Sequence, residues 1–505
     1  MQSIHRRGFL KLLPLLPAAL WSAARGLNRR RLSASPAGPN ILVIVFDALS
    51  AANMSLYGYP RRTTPNIERV AARAVVYHRH YAGGNFTSPG TASLLTGVYP
   101  WTHRAINRFG ATPPAWVDKN IFSHLASGRY TFAYTHNPWV YILLDQFRNG
   151  IHSLAPLSAA LRSSNLLSEK FARRDFNVAH QSEILVFGVY SDLPAANLLS
   201  ALWRENGNRL QAAAEEETGA LFPSGIPNRT RELTFTLEDT VDWLAAQLAA
   251  IPKPYFGYVH LLPPHDPYTT RQEFSGIFDD GYQPREKPGS PFTQDFSRES
   301  LNENRRKYDE AIAYVDAEFG RLFNHLELSG ALQDTWLVLT SDHGELFERG
   351  ILGHVTPALY EPVIRIPLLV WGPGIKQRTD IRTPTSAVDL LPTLASLAGA
   401  YPPGWSEGVP LDGLGSGPGG REIFVVEAKD NRASAPLERG TLAMIDSRYK
   451  LIYSFGYPEA PELCELYDLE RDPEEGFNLF TVEAGIARRM QAVLLDKLRS
   501  SHPTR

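Results

Sequence analysis

The sequence predicts an α/β fold with a large, mostly parallel sheet flanked by helices, plus a smaller C-terminal α+β subdomain with a short antiparallel sheet. Three observations lead to this prediction. The apolar runs NILVIVFD and TWLVLTSDHGE each end in acidic residues, as central parallel strands often do at a ligand site. Helical segments alternate with these runs. After about residue 420 the pattern changes to short β-type runs, closed by the helical segment AGIARRMQAVLLDKLRSS.

Each element of this prediction has a local pattern behind it. The run from Asn40 to Asp47 is apolar and rich in β-branched residues, which is typical of a strand buried on both faces. The segment TTPNIERVAA follows, and Thr64 or Pro65 is expected to open its helix. A hydroxyl-rich turn, NFTSPGTASLLTG, then runs into another helix. The strands TWLVLTSDHGE and RIPLLVWGPG and the helix TSAVDLLPTLASLAG continue the alternation.

Length, composition and charge limit the class of protein. A chain of 505 residues suits one large α/β domain or two unequal ones, and 43% hydrophobic and 21% charged residues are ordinary for a globular protein. The net charge of −2 predicts no general attraction to nucleic acid or anionic lipid. Cys464 is the single cysteine, so no disulfide can form within one chain.

Residues 1–35 are interpreted as a targeting segment and are excluded from the fold. The paired Arg6 and Arg7 in HRRGFLK resemble the twin-arginine export motif. The apolar run from Leu12 to Trp21 is too short to cross about 30 Å of hydrocarbon. We therefore expect a periplasmic or extracellular protein, which stays anchored to the membrane if the signal is not cleaved. A basic amphipathic N-terminus is the alternative, and we expect no other membrane-spanning segment.

Composition divides the remaining chain into two domains. The first is expected to cover residues 38–415 and to contain the large sheet, and the second to cover residues 420–505. Within the first domain, residues 104–250 are predicted to be variable, insertion-like material with helical stretches. Residues 270–303 are rich in Pro, Gly, Asp and Ser, which is typical of a long surface loop.

Four residues combine metal-binding side chains with positions at the ends of elements. Asp47 and the pair Asp342-His343 follow strands, and Thr87 lies in the hydroxyl-rich turn. Because the ends of parallel strands converge on one edge of a sheet, sequence distance does not keep these residues apart. Two carboxylates, an imidazole and a hydroxyl can hold one divalent cation, Zn²⁺, Mn²⁺, Mg²⁺ or Ca²⁺. Taken singly, such an Asp or Thr is usually a helix cap or turn residue.

Thr87 is the candidate nucleophile of this set. A cation beside it would lower the pKa of its hydroxyl and so supply a nucleophile near neutral pH. The predicted helix start would also place free backbone N–H groups next to this hydroxyl, and these favour an anionic group. The setting suits an oxyanion of phosphorus or sulfur.

Eight motifs in a fixed order resemble the sulfatase branch of the alkaline phosphatase superfamily. They are NILVIVFD, YGYPRRTTPNIERVA, TSPGTASLLTGVYP, HLLPPHDPY, TSDHGELFERGILGH, RIPLLVWGPG, VDLLPTLASLAG and ELYDLERDPEEGFNL. They cover roughly residues 40–103 and 255–480. The resemblance implies an alkaline-phosphatase-like sandwich, with residues 38–415 as a sulfatase-like catalytic domain.

The chain departs from the sulfatase pattern at the predicted nucleophile. Sulfatases begin this turn with C/S-x-P-x-R and oxidise the first residue to formylglycine, whereas this sequence has Thr87 there and Thr91 at the Arg position. Threonine cannot form formylglycine, so we expect none. A sulfo-threonine would lack the elimination by which the aldehyde hydrate releases sulfate. A phospho-threonine can be cleared by attack at phosphorus, and the superfamily's phosphodiesterases and phosphoethanolamine transferases use Thr here.

The second N-terminal acid of the sulfatase metal site is also absent, since Ala48 follows Asp47. The remaining residues match the mononuclear metal site of the superfamily's transferases: Asp47, Thr87, Asp342 and His343. By resemblance we therefore expect one divalent metal ion.

Four histidines complete the predicted site. The resemblance implies that His265 contacts the substrate oxyanion, and that His354 binds non-bridging oxygens or protonates the leaving group. His260 and His103 are weaker candidates for substrate binding. A second metal ion held by these imidazoles stays open, although the ligand set of dinuclear phosphodiesterases is not evident around His260. Glu345 is expected to be a structural partner.

The predicted function is a metal-dependent hydrolase or transferase that acts on phosphate monoesters or diesters through phospho-Thr87. The substrate would be a small molecule, a lipid or a glycan ester. One alternative is a sulfuric ester hydrolase that works without formylglycine. Another is a catalytically inactive relative that binds a metal or a glycan, which the loss of the Arg position would favour. Related transferases usually carry several membrane helices, so the sequence favours a soluble hydrolase.

Overall fold

The computed structural model of this protein describes residues 38–171, 175–187, 198–226, 233–414 and 420–500. The predicted export signal over residues 1–35 lies outside the described residues. From Gly38 onward the chain forms one compact unit, which contains both predicted domains. Within the described ranges, no helix combines the length and the apolar character needed to cross a bilayer.

The strands of the described chain form one large sheet, one smaller sheet and two short strand pairs. They are β1 (Asn40–Phe46), β2 (Val75–Tyr81), β3 (Tyr130–Thr135), β4 (Ser153–Leu154), β5 (Ser163–Ser164), β6 (Leu233–Thr234), β7 (Tyr255–Leu261), β8 (Thr335–Thr340), β9 (Phe347–Glu348), β10 (Ile351–Leu352), β11 (Arg365–Trp371), β12 (Thr379–Ile381), β13 (Thr385–Ser386), β14 (Ile423–Glu427), β15 (Gly440–Asp446), β16 (Tyr449–Phe455) and β17 (Glu462–Asp468).

The large sheet is mostly parallel, which confirms the predicted fold class. Its strand order is β12-β2-β11-β8-β1-β7-β3-β4, with β13 also paired to β2. Strand β1 is parallel to both of its neighbours, β7 and β8. Strand β11 is the exception, because it runs antiparallel to β2 and β8. The centre of the sheet is therefore a parallel arrangement whose strand ends meet at one edge.

The described residues form thirteen α-helices, several of which cover the two faces of this sheet. They are α1 (Pro65–Val70), α2 (Thr87–Thr96), α3 (Pro100–His103), α4 (Ile121–Leu125), α5 (Pro138–Gln146), α6 (Leu167–Phe171), α7 (Phe176–Phe187), α8 (Leu198–Thr218), α9 (Leu237–Ala250), α10 (Arg298–Leu328), α11 (Glu361–Ile364), α12 (Leu390–Leu397) and α13 (Ala484–Ser500). Helices α9 and α10 contribute to one hydrophobic cluster, and α2, α5 and α12 contribute to the cluster on the opposite face.

Strand β1 shows why the sheet needs helices on both sides. All of its residues are buried. Leu42 and Ile44 pack into the cluster that contains α9 and α10, whereas Ile41 and Val43 pack into the cluster that contains α2 and α5. Successive side chains of a strand point to opposite faces, so an unbroken apolar run requires cover on both.

The C-terminal region forms an antiparallel sheet in the order β14-β15-β16-β17, as the sequence predicts. Helix α13 packs against this sheet through apolar residues that include Met490 and Leu494. The helical segment identified in the sequence therefore closes the smaller sheet.

A buried charge cluster joins this sheet to the rest of the unit. Lys450 on β16 places Nζ 3.1 Å from Oε1 of Glu361 on α11 and 2.6 Å from Oε1 of Glu475. The backbone N–H of Glu361 donates to Oε2 of Glu475 at 2.7 Å. Burial raises the pKa of Glu475, the Lys450 ammonium opposes that shift, and the Glu361 carboxylate adds to it. The Lys450 ammonium thus forms ion pairs with two buried carboxylates.

His80 on β2 makes the stability of the fold depend on pH. Its side chain is fully buried, with Nδ1 2.9 Å from Oγ1 of Thr385, and burial lowers its pKa to about 3. An unfolded histidine has a pKa of about 6.5. Below that pH the unfolded state binds a proton that the folded state does not. This residue should therefore lower the free energy of unfolding by about 1.4 kcal/mol for each pH unit below 6.5.

We expect His80→Asn to remove this contribution. The measured quantity is the free energy of unfolding of the wild-type protein minus that of the variant. As the pH is lowered from 6 to 4, this difference should fall by about 1.4 kcal/mol per pH unit. Urea titrations at several pH values measure this difference. Thr385→Val is the matched control, because it removes the same hydrogen bond and leaves the imidazole in place. Parallel stability curves for wild type and His80→Asn would contradict the prediction.

Candidate active site

Three neighbouring strands bring the predicted acids together. Asp47 follows β1, and Asp342 follows β8 after Ser341. His260 lies on β7, where it is paired with Val45 of β1, and Val45 is paired on its other side with Thr340 of β8. The parallel register therefore delivers side chains from three strands to one edge of the sheet, as the strand-end argument predicts.

Thr87 reaches the same edge from the start of α2. It is the first residue of that helix and is fully buried. A Cβ added at Gly90 would lie 2.3 Å from the carbonyl oxygen of Asp342, so glycine is needed for α2 to pack this closely. The Oγ1 atom of Thr87 lies 3.5 Å from Nε2 of His343. The predicted nucleophile therefore lies next to the acid–imidazole cluster.

The nitrogen and oxygen atoms of this cluster lie close together, and ligand atoms of Asp47, His260 and Asp342 are all within 4.8 Å of one another. Nε2 of His343 lies 3.3 Å from Oδ1 of Asp47 and 3.6 Å from Oδ2 of Asp342. Nε2 of His260 lies 3.2 Å from Oδ2 of Asp47 and 3.8 Å from Oδ2 of Asp342. All four side chains are completely buried. Ligands held tetrahedrally at about 2.0–2.2 Å from Zn²⁺ lie about 3.3–3.6 Å apart.

Each carboxylate is anchored through one oxygen. Nδ2 of Asn137 donates to Oδ2 of Asp47 at 2.6 Å, and the backbone N–H of Ala48 donates to Oδ1 of Asp342 at 3.3 Å. Ala48 has a left-handed backbone with φ 61°. Among the described residues, Oδ1 of Asp47 and Oδ2 of Asp342 have no hydrogen bond although both are buried. Burial of a carboxylate oxygen without a hydrogen bond is unfavourable unless a cation lies next to it. This donor set therefore fits a divalent metal ion.

The charges in this cluster shift the pKa values of its own side chains. Burial alone would raise the pKa of Asp47, but His265, His260 and His343 outweigh it and hold this pKa well below its usual value. Burial, and then the Asp47 carboxylate, raise the pKa of Asp342. Burial lowers the pKa of His343, but the two carboxylates outweigh it and raise the pKa to about 9. The cluster therefore stabilises a positive charge between its two acids.

Both imidazoles in this cluster turn Nε2 towards the acids. Nδ1 of His343 lies 2.9 Å from the carbonyl oxygen of Gly344, which can only accept, so Nδ1 carries the proton. Nδ1 of His260 lies 3.0 Å from the hydroxyl of Tyr258. Contacts of this kind orient metal-binding histidines, and the carbonyl contact also leaves Nε2 as the free nitrogen of His343.

His265 and His354 lie beside the cluster. The ring centroid of His354 is 4.2 Å from that of His343 and 4.8 Å from that of His265. Nδ1 of His354 lies 2.8 Å from Oε1 of Glu345, which leaves Nε2 for a substrate. Burial lowers the pKa of His354 to about 4, although the Glu345 carboxylate raises it. Glu345 is thus a partner of His354, as the sequence interpretation expected.

A cavity of about 730 Å³ opens next to these two histidines. His265, His354 and Glu345 form part of its wall, and Arg306 and Glu310 of α10 form another part. Its volume is that of a site for a small organic ligand. The arrangement therefore places a substrate-sized space beside the buried cluster.

Two of the predicted roles differ from the contacts seen here. His260 was predicted as a weak substrate contact, but it lies between the two acids and forms a possible metal-binding triad with Asp47 and Asp342. His103 has both ring nitrogens engaged within the packing of α2 and α3: Nε2 lies 3.1 Å from Oγ of Ser93, and Nδ1 accepts the N–H of Ala105 at 3.1 Å. These contacts give His103 a structural role.

Sequence reasoning missed Asn137 and Tyr258. Asn137 follows β3 and caps α5, since its Oδ1 accepts the N–H of Trp139 at 2.8 Å. The strand-end pattern in YTFAYTHNP could have identified it as a further residue at this edge. Tyr258 lies two positions before His260 on β7. Residues two apart on a strand point to the same face, and this is the one signal in the sequence that links the two side chains.

Comparisons with known proteins agree with this fold. The family model described as Sulfatase matches residues 39–400, and the C-terminal model of N-sulphoglucosamine sulphohydrolase matches residues 356–502. A choline-sulfatase of Rhizobium meliloti (strain 1021) is 25% identical over 92% of this chain and 86% of that protein. Arylsulfatase K of Bos taurus is 23% identical over 92% of this chain and 82% of that protein.

Solved structures share the architecture. The phosphonate monoester hydrolase of Agrobacterium radiobacter has a TM-score of 0.65 at 19% identity, covering 92% of this chain and 96% of that one. The phosphonate monoester hydrolase of Silicibacter pomeroyi has a TM-score of 0.62 at 20% identity, covering 92% of this chain and 95% of that one.

The fold, the matched family model and the acid–imidazole cluster together define a hydrolase of sulfuric or phosphoric ester bonds. Enzymes of this class bind a divalent metal ion, and the cluster fits one. The chain belongs to the sulfatase family, within the alkaline phosphatase superfamily.

Proposed function

We propose that the protein hydrolyses phosphate monoesters or diesters, with Thr87 as the nucleophile. The observation that carries this proposal is the position of the Thr87 hydroxyl, buried at the start of α2 and 3.5 Å from Nε2 of His343. Threonine cannot become formylglycine, and a phospho-threonine can be cleared by attack at phosphorus. Two proteins of this fold are phosphonate monoester hydrolases, which also supports chemistry at phosphorus.

The first step forms a phospho-threonine. A divalent metal bound by Asp47, Asp342, His343 and His260 would lower the pKa of the Thr87 hydroxyl and offset the charge of the transferring group. Thr87 releases its proton to solvent, its Oγ1 forms a bond to phosphorus, and the bond from phosphorus to the leaving oxygen breaks. Nε2 of His354 donates a proton to that oxygen, and the product alcohol departs.

The second step restores the enzyme. A water molecule attacks phosphorus, Nε2 of His354 takes one proton from this water, and the bond from phosphorus to Thr87 breaks. The Thr87 oxygen regains a proton from solvent. A monoester substrate then releases phosphate, and a diester substrate releases a phosphate monoester. His354 alternates between acid and base, which requires its pKa to rise from about 4 when the negatively charged ester binds beside it.

Two groups hold the ester during both steps. Helix α2 presents the free backbone N–H groups of its first turn beside Thr87, which suits a non-bridging oxygen. The ring of His265 lies 4.8 Å from that of His354 and lines the cavity, where it can contact a second oxygen. The rest of the cavity receives the alcohol part of a small-molecule, lipid or glycan ester.

A sulfuric ester hydrolase is the second candidate. Its support is the identity of the relatives, since choline-sulfatase and arylsulfatase K match most of this chain. The threonine weighs against it, because a sulfo-threonine has no elimination route. A catalytically inactive binding protein has less support. Such a protein would not need a hydroxyl nucleophile beside the acid–imidazole cluster.

Ester specificity gives the direct test. We expect purified protein loaded with Zn²⁺ or Mn²⁺ to hydrolyse an aryl phosphate, an aryl phosphodiester or an aryl phosphonate about 100-fold faster than the aryl sulfate, measured as kcat/KM. Release of the common aryl alcohol reports all four reactions. Thr87→Ala prepared in parallel controls for contaminating enzymes. Faster release from the sulfate ester would favour the second candidate instead.

We also propose that the protein is exported by its twin-arginine-type N-terminus. The motif HRRGFLK supports this proposal. Replacing Arg6 and Arg7 by lysine should retain the protein in the cytoplasm in a fractionation experiment. Unchanged export would contradict it.

A further inference from the structure

His260 brings a nitrogen atom to the two acids. The residue after Asp47 is Ala48, where the sulfatase pattern has a second carboxylate. Nε2 of His260 approaches the cluster from β7, 3.2 Å from Oδ2 of Asp47 and 3.8 Å from Oδ2 of Asp342. This chain therefore lacks the second N-terminal acid and has an additional imidazole nitrogen within reach of the two remaining acids.

His260 can bind a cation only if its proton is on Nδ1. A neutral imidazole has one donor nitrogen and one acceptor nitrogen. The hydroxyl of Tyr258 lies 3.0 Å from Nδ1 of His260 and is completely buried with it. If the phenol oxygen accepts the Nδ1 proton, Nε2 keeps its lone pair directed at the two acids.

His343 offers its nitrogen in the same way. Its Nδ1 donates to the carbonyl oxygen of Gly344 at 2.9 Å, so its Nε2 faces Asp47 and Asp342. The cluster thus presents two imidazole nitrogens and two carboxylates, with the Thr87 oxygen beside them. Imidazole suits Zn²⁺ and similar transition ions, whereas Mg²⁺ and Ca²⁺ prefer oxygen ligands throughout.

We propose that His260, held by Tyr258, adds a second nitrogen ligand to this site and so favours Zn²⁺ over Mg²⁺ or Ca²⁺. This inference rests on the proposed function for the presence of a catalytic metal. Tyr258 acts through His260 and is a positioning residue, with no contact to the substrate.

Metal affinity of the full-length protein, stripped by a chelator and titrated with Zn²⁺ or Mn²⁺ alone, tests the inference. We expect Tyr258→Phe to weaken Zn²⁺ binding by about 10–100-fold, the usual effect of removing such a support. His260→Asp should weaken Zn²⁺ binding by a similar factor and shift the Zn²⁺/Mn²⁺ affinity ratio towards Mn²⁺. In a His260→Asp background, Tyr258→Phe should cost nothing further.

Tyr255→Phe is the matched control. Tyr255 lies on the same strand and is equally buried, but it packs on the opposite face of the sheet. This variant should keep the wild-type Zn²⁺ affinity. Thermal unfolding of each metal-free variant shows whether a loss of affinity reflects a loss of folded protein.

Nitrogen NMR of labelled histidine reads the tautomer directly. We expect Nδ1 of His260 to carry the proton in the Zn²⁺-loaded protein, and this state to be lost in Tyr258→Phe. A proton on Nε2, or an unchanged Zn²⁺ affinity in both His260→Asp and Tyr258→Phe, would overturn the inference. If Asp342→Asn also leaves Zn²⁺ affinity unchanged, the metal site of the proposed function fails as well. If Asp342→Asn alone loses the metal, only the role of His260 and Tyr258 fails.

Discussion

Thr87→Ala is expected to lose at least about 10⁴-fold in kcat on the best ester substrate. The variant lacks the oxygen that forms the covalent intermediate. Metal content should stay near that of the wild type, because Asp47, Asp342, His343 and His260 are unchanged. Steady-state kinetics together with metal analysis measure both parts of this prediction.

Two further variants make the result specific. Thr87→Ser keeps a hydroxyl at the same position and should retain measurable turnover through the same intermediate. Ser88→Ala removes the adjacent buried hydroxyl and should leave kcat within about threefold of the wild type. Phosphate trapped on residue 87 after rapid acid quench would identify the intermediate. Undiminished turnover by Thr87→Ala would refute the assignment of the nucleophile.

Lys450→Ala should destabilise the protein by about 3–5 kcal/mol, the usual cost of removing one partner from a buried ion pair. The ammonium is fully buried between Glu361 and Glu475, so its removal leaves two carboxylates in a dehydrated site. Because these residues belong to β16, α11 and the turn that holds Glu475, the loss should loosen the contact between the C-terminal sheet and the rest of the unit. The free energy of unfolding from urea titration at pH 7 measures the effect.

A surface ion pair in the same region provides the comparison. Arg448 pairs with Asp468, but its side chain is 32% exposed. Arg448→Ala should therefore cost much less than Lys450→Ala. Adding Glu475→Gln to Lys450→Ala should recover part of the loss, since it removes one of the unpaired charges. A cost for Lys450→Ala as small as that for Arg448→Ala would show that the buried cluster contributes little to stability.

Much of the fold could be predicted from local pattern. The run from Asn40 to Phe46 is apolar on both faces, and it became the central strand β1 with neighbours on each side. The antiparallel direction of β11 was not predictable, because RIPLLVWGPG has the composition of a buried strand in either direction. Strand direction depends on how the chain returns to the sheet, and this is set by the connection and not by the strand.

The sequence also predicts some residues of the candidate site and not others. Asp47, Asp342 and His343 stand out in the sequence because charged groups follow buried strands, and Thr87 stands out because its hydroxyl lies in a turn that runs into a helix. His260 does not stand out, since a histidine inside a strand is usually a packed core residue. Its place depends on the register between β7 and β1, which sets it opposite Val45 and beside the two acids.

The sequence by itself determined the fold class and the residue types at the strand ends, because these follow from side-chain periodicity and chemistry along the chain. The resemblance to the sulfatase pattern showed that threonine stands at the position of the formylglycine precursor. Only the tertiary structure decided that His260 joins the two acids, that His103 is held inside the packing of α2 and α3, and that the Tyr258 hydroxyl lies beside Nδ1 of His260. Those outcomes depend on distances between atoms from different strands. Such distances are set by strand register and helix packing, which no local pattern contains.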